Sequence, residues 1–79
     1  MVKGQIVCSK AGSDRNGFSV ITEVGEKVVY ICDGKRYKLQ KPKRKNIKHI
    51  APTKEILSTE NISTDKALRK ALAEYRSKM

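Results

Sequence analysis

Over the first fifty residues, short apolar runs alternate with polar, glycine-bearing breaks, and this rhythm predicts strands joined by tight turns. Gln5 to Lys10 reads as a first strand around Ile6, Val7 and Cys8. A polar loop bracketed by Gly12 and Gly17 follows. Phe18 to Val24 alternates, with Phe18, Val20, Thr22 and Val24 on one face of a second strand. Gly25-Glu26 suits a two-residue hairpin with glycine at its first central position. Lys27 to Cys32 is a third strand, but Val28-Val29-Tyr30-Ile31 is apolar on both faces, which leaves its inward side open. Asp33-Gly34 then predicts a type I′ turn, with Arg36 to Leu39 as the returning strand. There Tyr37 and Leu39 would face the core while Arg36 and Lys38 face outward. Pro42 ends that strand, Lys43-Arg44-Lys45 is a basic connector, Ile47 to Ala51 is a fifth strand, and Pro52 closes the unit. Strands this short and closely spaced point to a mainly β fold, a small five-stranded barrel over residues 1–53, because closure removes exposed edges.

The period changes after a Ser/Thr/Asn-containing linker, residues 54–62, where Ile56, Leu57 and Ile62 are candidate docking points. From residue 63 to 79 the spacing is helical. Ser63 or Thr64 can cap, Asp65 sits in the first turn, and Leu68, Ala71, Leu72 and Tyr75 form one stripe. Lys66, Arg69, Lys70 and Arg76 lie off it. Isolated helices shorter than about 12–15 residues are marginal in water. This one therefore docks on the barrel, binds a protein partner or frays.

Charge changes the picture more than composition does. The 79 residues carry 18 Lys+Arg against 8 Asp+Glu, a net charge of +10. Residues 1–34 sum to zero and residues 55–79 to +1, whereas residues 35–54 hold nine cations and no acid. Like charges gathered without compensation repel, so the stretch asks for a polyanionic partner. A membrane patch usually needs a second signal, a lipid chain or a strongly amphipathic basic helix. No myristoylation glycine stands at position 2, so nucleic acid is the expected partner. No apolar run reaches the length of a membrane span, and the first residues carry no secretory h-region, so the expected address is the cytoplasm. Cys8 and Cys32 then read as small, reduced, buried hydrophobes. With His49 they are too few for a zinc site. No paired carboxylates, Ser-His-Asp arrangement or phosphate loop suggests an enzyme, a cofactor or a small-molecule substrate.

The candidate interface follows from the cations. Lys35, Lys38, Lys41, Lys43, Lys45 and Lys48 offer point charges to phosphate, while Arg36 and Arg44 can bridge phosphate oxygens bidentately. Asn46 and His49 add hydrogen bonds, with a turn-fixing Asn46 and a core-packed His49 as the structural alternatives. The glycine-flanked loop adds Lys10, Ser13, Arg15 and Asn16 as donors. Tyr37 is a core residue or a base-stacking one. Only four aromatics occur in all, which favours recognition of RNA backbone and shape over a broad stacking platform.

Gly4-Gln5-Ile6-Val7-Cys8-Ser9-Lys10 and the loop ending at Gly17 resemble a KOW motif, with Gly17 at the place of that family's characteristic glycine. Asn46-Ile47-Lys48-His49-Ile50-Ala51-Pro52-Thr53 resembles the closing segment of archaeal and eukaryotic large-subunit ribosomal proteins of the L-fourteen-e type. Over about residues 2–53 the chain is similar to small bacterial KOW-domain RNA-binding proteins. The resemblance implies an SH3-like barrel that binds RNA, ribosomal RNA above all, with the large subunit as the expected partner. Two alternatives stay open: a transcription-linked KOW module touching RNA polymerase or nascent RNA, and an SH3-like barrel that binds proteins. The segment from Lys54 onward carries no part of the resemblance.

Overall fold

A computed structural model of the chain describes residues 1–10 and 17–78. Five strands, β1 (Gln5–Ser9), β2 (Phe18–Val24), β3 (Val28–Cys32), β4 (Lys43–Asn46) and β5 (Ile50–Ile56), precede one helix, α1 (Asp65–Ser77). They form one antiparallel sheet in the order β4-β3-β2-β1-β5. β4 and β5 are therefore neighbours in sequence but opposite edges of the sheet. In a flat sheet those edges would lie about 19 Å apart, at about 4.8 Å per strand. Only a 3₁₀ turn, Ile47–His49, connects them, and the four steps from residue 46 to 50 reach at most about 14 Å. The sheet must curl to bring its edges together, which makes the fold barrel-like.

The curl creates two cores, one on each face. Val7, Ile21, Val29, Ile31 and Ile50 pack inside the curl, with Ile47 against them. Ile6, Val20 and Cys32 point the other way and meet Leu68 and Leu72 of α1. This answers the question left by β3: Val29 and Ile31 serve the inner core, and Cys32 serves the helix side. The helix is thus part of the hydrophobic structure. Leu68 and Leu72 are 0% and 4% exposed, and burying each is worth about 1.5–3 kcal/mol. Thr64 caps the helix by accepting from the Ala67 N–H at 3.0 Å, and Tyr75 meets Phe18 edge to face with centroids 5.3 Å apart.

Several expected boundaries move. The Gly25-Glu26 turn shifts by one residue: the Gly25 N–H donates to the Val28 carbonyl, leaving Glu26-Lys27 at the tip. A register shift between Ile21 and Glu23 breaks the one-face alternation of β2 and leaves Val24 opposite Val29. The returning strand expected at Arg36 to Leu39 does not form, and the expected connector Lys43-Arg44-Lys45 is itself in β4. The expected strand Ile47 to Ala51 splits into the 3₁₀ turn and the start of β5. β5 runs through Pro52 to Ile56, so the sheet extends past the expected end at residue 53 into the expected linker. Pro52 is tolerated because β5 is an edge strand. The rest of that linker holds a second 3₁₀ turn, Thr59–Ile62. Leu57 and Ile62 pack against the helix-side core, while Ile56 stays exposed.

Both cysteines are free thiols, Cys8 half-buried and Cys32 buried. Burial pushes the Cys32 thiol from 9.0 up to about 12, and the nearby charges of Asp65 and Asp33 push the same way. The folded state thus holds the proton more tightly than the unfolded chain. This contribution to stability is complete below about pH 9 and is lost as pH rises toward 12. In urea titrations from pH 7 to 11, the Cys32 contribution should remain constant to about pH 8.5 and then fall. Cys32→Ala should remove that part of the decline. At pH 8 a thiol reagent should modify Cys8 first and reach Cys32 only as the core opens. Equal labelling rates would contradict the burial of Cys32.

Candidate functional site

After β3 the chain turns back on itself without forming a ladder. The Asp33 carboxylate accepts from the Lys35 and Tyr37 N–H groups at 2.9 and 3.0 Å. The Asp33 and Gly34 N–H groups both donate to the Tyr37 carbonyl. The loop is then fastened to α1. The Leu39 N–H donates to Asp65 Oδ1 at 2.8 Å, and Arg69 Nη1 donates to the Gly34 carbonyl at 2.8 Å. Gly34 has φ +81°, and a Cβ there would stand 2.5 Å from the Asp65 carbonyl oxygen. The glycine read as a hairpin signal is where the loop leaves no room for a side chain beside the helix.

The expected in–out alternation survives without the strand. Tyr37 and Leu39 are half-buried against the helix-side core, while Arg36 and Lys38 are exposed. The loop tightens again where the Lys41 N–H donates to the Lys38 carbonyl at 2.9 Å. Between loop and β4 opens a cleft of about 400 Å³ lined by Arg36, Tyr37, Lys38, Lys41 and Lys43, with Gln40 and Pro42 completing its wall. Its lining thus includes four cations and no acid. Lys43 Nζ lies 6.0 Å from the centre of the Tyr37 ring, at the outer range of a cation–π contact.

β4 continues the positive surface. Its Lys43, Arg44 and Lys45 stand opposite Ile31, Tyr30 and Val29 of β3. Lys43 and Arg44 are exposed and Lys45 is half-buried. Charges on an edge strand also discourage pairing with other chains, so β4 has a structural use for part of its charge. Asn46 fixes a turn: its side-chain oxygen accepts from the Lys48 N–H at 2.9 Å and caps the 3₁₀ turn. Lys48 and His49 are exposed, so His49 does not serve the core. The Lys10 N–H donates to the His49 carbonyl at 2.9 Å, tying the start of the glycine-flanked loop to this turn.

The candidates are therefore not all in one place. Arg36, Lys38, Lys41 and Lys43 share the main cleft. Arg44 and Lys45 follow along β4, and Asn46, Lys48, His49 and Lys10 gather at its far end. Lys35 is separate, in a crevice of about 60 Å³ with Asp33, Arg69 and Arg76. Ser13, Arg15 and Asn16 lie outside the described residues. Sequence reading passed over Gln40 in the main cleft and Lys27, which lines a second opening of about 360 Å³ with Asn46, Ile47, Lys48 and one acid, Glu26. Lys27 is signalled only by the fold, since its carbonyl accepts from the Ile47 N–H across the sheet edge.

Among the described residues, no group of three or more His, Cys, Asp or Glu side chains is arranged to hold a metal ion. Nor is any helix among them long and apolar enough to cross a membrane. No protein-family model matches the chain, and no curated protein matches it in sequence.

Proposed function

We propose that the chain is a non-enzymatic RNA-binding protein whose interface runs from the Tyr37 cleft along β4 to the 3₁₀ turn and Lys10. One observation carries this reading: four cationic residues line a single cleft that has no acid among its lining residues, and Arg44 and Lys45 continue the cationic run along β4. Cations on an edge strand discourage pairing with other chains; a cleft lined by four cationic residues also suits an anionic ligand. Lys and Arg there would neutralise phosphates and release condensed counterions, which supplies affinity more than sequence preference. Asp33 and Asp65 accept from loop N–H groups, which supports a structural role for both acids. The sequence resemblance makes ribosomal RNA the expected target.

The test is a titration of structured ribosomal RNA fragments at several salt concentrations, with a proline-rich peptide as the competing class of ligand. Five to seven phosphate contacts would give log K against log salt a slope of about −3.5 to −6. Binding without salt dependence or preference for RNA would support a protein-interaction barrel instead. Sedimentation of lysate through sucrose tests the ribosomal version, which predicts migration with ribosomal particles. Recovery only at the top of the gradient would count against it.

A further inference from the structure

We infer that the cleft beside Tyr37 is a seat for a single unpaired nucleobase, so that the preferred RNA carries a bulge, loop or single-stranded nucleotide. The inference rests on the RNA-binding reading and deepens it. Tyr37 packs against the helix-side core and is also one of the residues lining the cleft, so packing holds an aromatic side chain at the wall of the opening. An aromatic already held by packing loses little further side-chain freedom when something stacks on it.

The surrounding groups suit a nucleotide. The cleft volume of about 400 Å³ falls within the roughly 300–1,000 Å³ of sites that take small organic ligands. Lys43 Nζ, 6.0 Å from the ring centre, shows that a cation can reach the ring. When a base enters, this flexible ammonium can move to the adjoining phosphate. Arg36, Lys38 and Lys41 line the same opening for the flanking phosphates, and the Gln40 amide offers both a donor and an acceptor to a base edge. Bases within a duplex keep their faces stacked on neighbours. Aromatic stacking therefore selects bases already free of the helix.

The experiment uses three labelled RNA hairpins that differ at one position: fully paired, carrying one unpaired adenosine, or carrying an abasic nucleotide there. The abasic RNA keeps every phosphate of the bulged one and lacks only the base. Anisotropy titrations at one salt concentration compare the natural chain with Tyr37→Phe and Tyr37→Leu. The bulged RNA should bind about tenfold tighter than the abasic RNA. Tyr37→Phe should keep that ratio. Tyr37→Leu, which retains an apolar side chain against the core, should bring it close to one while binding the abasic RNA as before. Equal affinity of the natural chain for all three RNAs would overturn the base seat and leave RNA binding standing. A preference that survives Tyr37→Leu would overturn the assignment to this cleft. No binding to any of the three at low salt would overturn the RNA reading as well. If Tyr37→Leu fails to fold, Gln40→Ala on the exposed wall of the same cleft takes its place: it should lower the bulged-to-abasic ratio, and an unchanged ratio would move the base seat out of this cleft.

Discussion

Gly34→Val should unfold the domain or strip α1 from it, and the cause is double. The backbone at Gly34 has φ +81°, a region that costs an L-residue about 1–2 kcal/mol and a β-branched one more. The new Cβ would also stand 2.5 Å from the Asp65 carbonyl oxygen, in the first turn of the helix, and 2.8 Å from Arg69 Cγ, one turn further on. A backbone oxygen cannot swing aside as a long side chain can. Relief requires the helix to move, and that uncovers Leu68 and Leu72. A chain of this length has a total stability of about 4–12 kcal/mol, so an expected loss above about 3 kcal/mol is a large fraction of it. Thermal unfolding followed by circular dichroism should show a transition lowered by more than ten degrees, or none at all. Gly34→Ala isolates the collision from the branching and should still be severe. An unchanged transition for Gly34→Ala would mean that helix and loop do not meet there. Where the variant retains a folded sheet, RNA binding should weaken too, since Asp65 and Arg69 brace the loop carrying Arg36, Lys38 and Lys41.

The same glycine shows where sequence reading stopped. Asp-Gly between two apolar runs is a strong local hairpin signal, and the turn residue and its positive φ were both legible. The use made of them was not. Whether a tight turn opens a ladder or lets a helix approach depends on an element thirty residues away. The period-2 pattern of Arg36 to Leu39 was equally ambiguous: it reports alternate burial, which a loop pressed against a core can satisfy without ladder hydrogen bonds. Lys43-Arg44-Lys45 erred in the opposite direction. On this edge strand Lys43 and Arg44 are exposed and Lys45 is half-buried, so its side chains carry no apolar signature. The mainly β class, strands β1 to β3 and the helical stripe were readable because their apolar spacing is set by burial. In β3, apolar residues on both faces recorded that the sheet is covered twice, once by its own curl and once by α1. As for the site, the charge block was plain in sequence. Its division among a cleft, an edge strand and a turn, and the separation of Lys35 from the main cleft, required the fold.

Replacing Lys43, Arg44 and Lys45 together with Gln should weaken RNA binding about 100-fold at 0.15 M salt and flatten the salt slope by about 2 to 3. The figure follows if each of the three neutralises one phosphate, since each contact adds about 0.7–0.9 to the slope. The fold should persist. Lys43 and Arg44 are exposed, Lys45 is half-buried, and Gln retains most of the aliphatic stem that covers the strand. Removing the charges does leave β4 a more inviting edge, so sedimentation must first establish that the variant has not begun to self-associate. Lys66 and Lys70, exposed on α1 and apart from the main cleft, supply the matched control: Lys66→Gln with Lys70→Gln should shift affinity only slightly. The two readouts separate the possible causes. Affinity and slope falling together assign the phosphate contacts to β4. Affinity falling with the slope intact would mean that the substitutions disturbed the cleft, with the counterions released elsewhere. If neither changes, β4 holds its cations for edge protection alone, and the interface must be sought at Lys48, His49 and Lys10, beyond the far end of the strand.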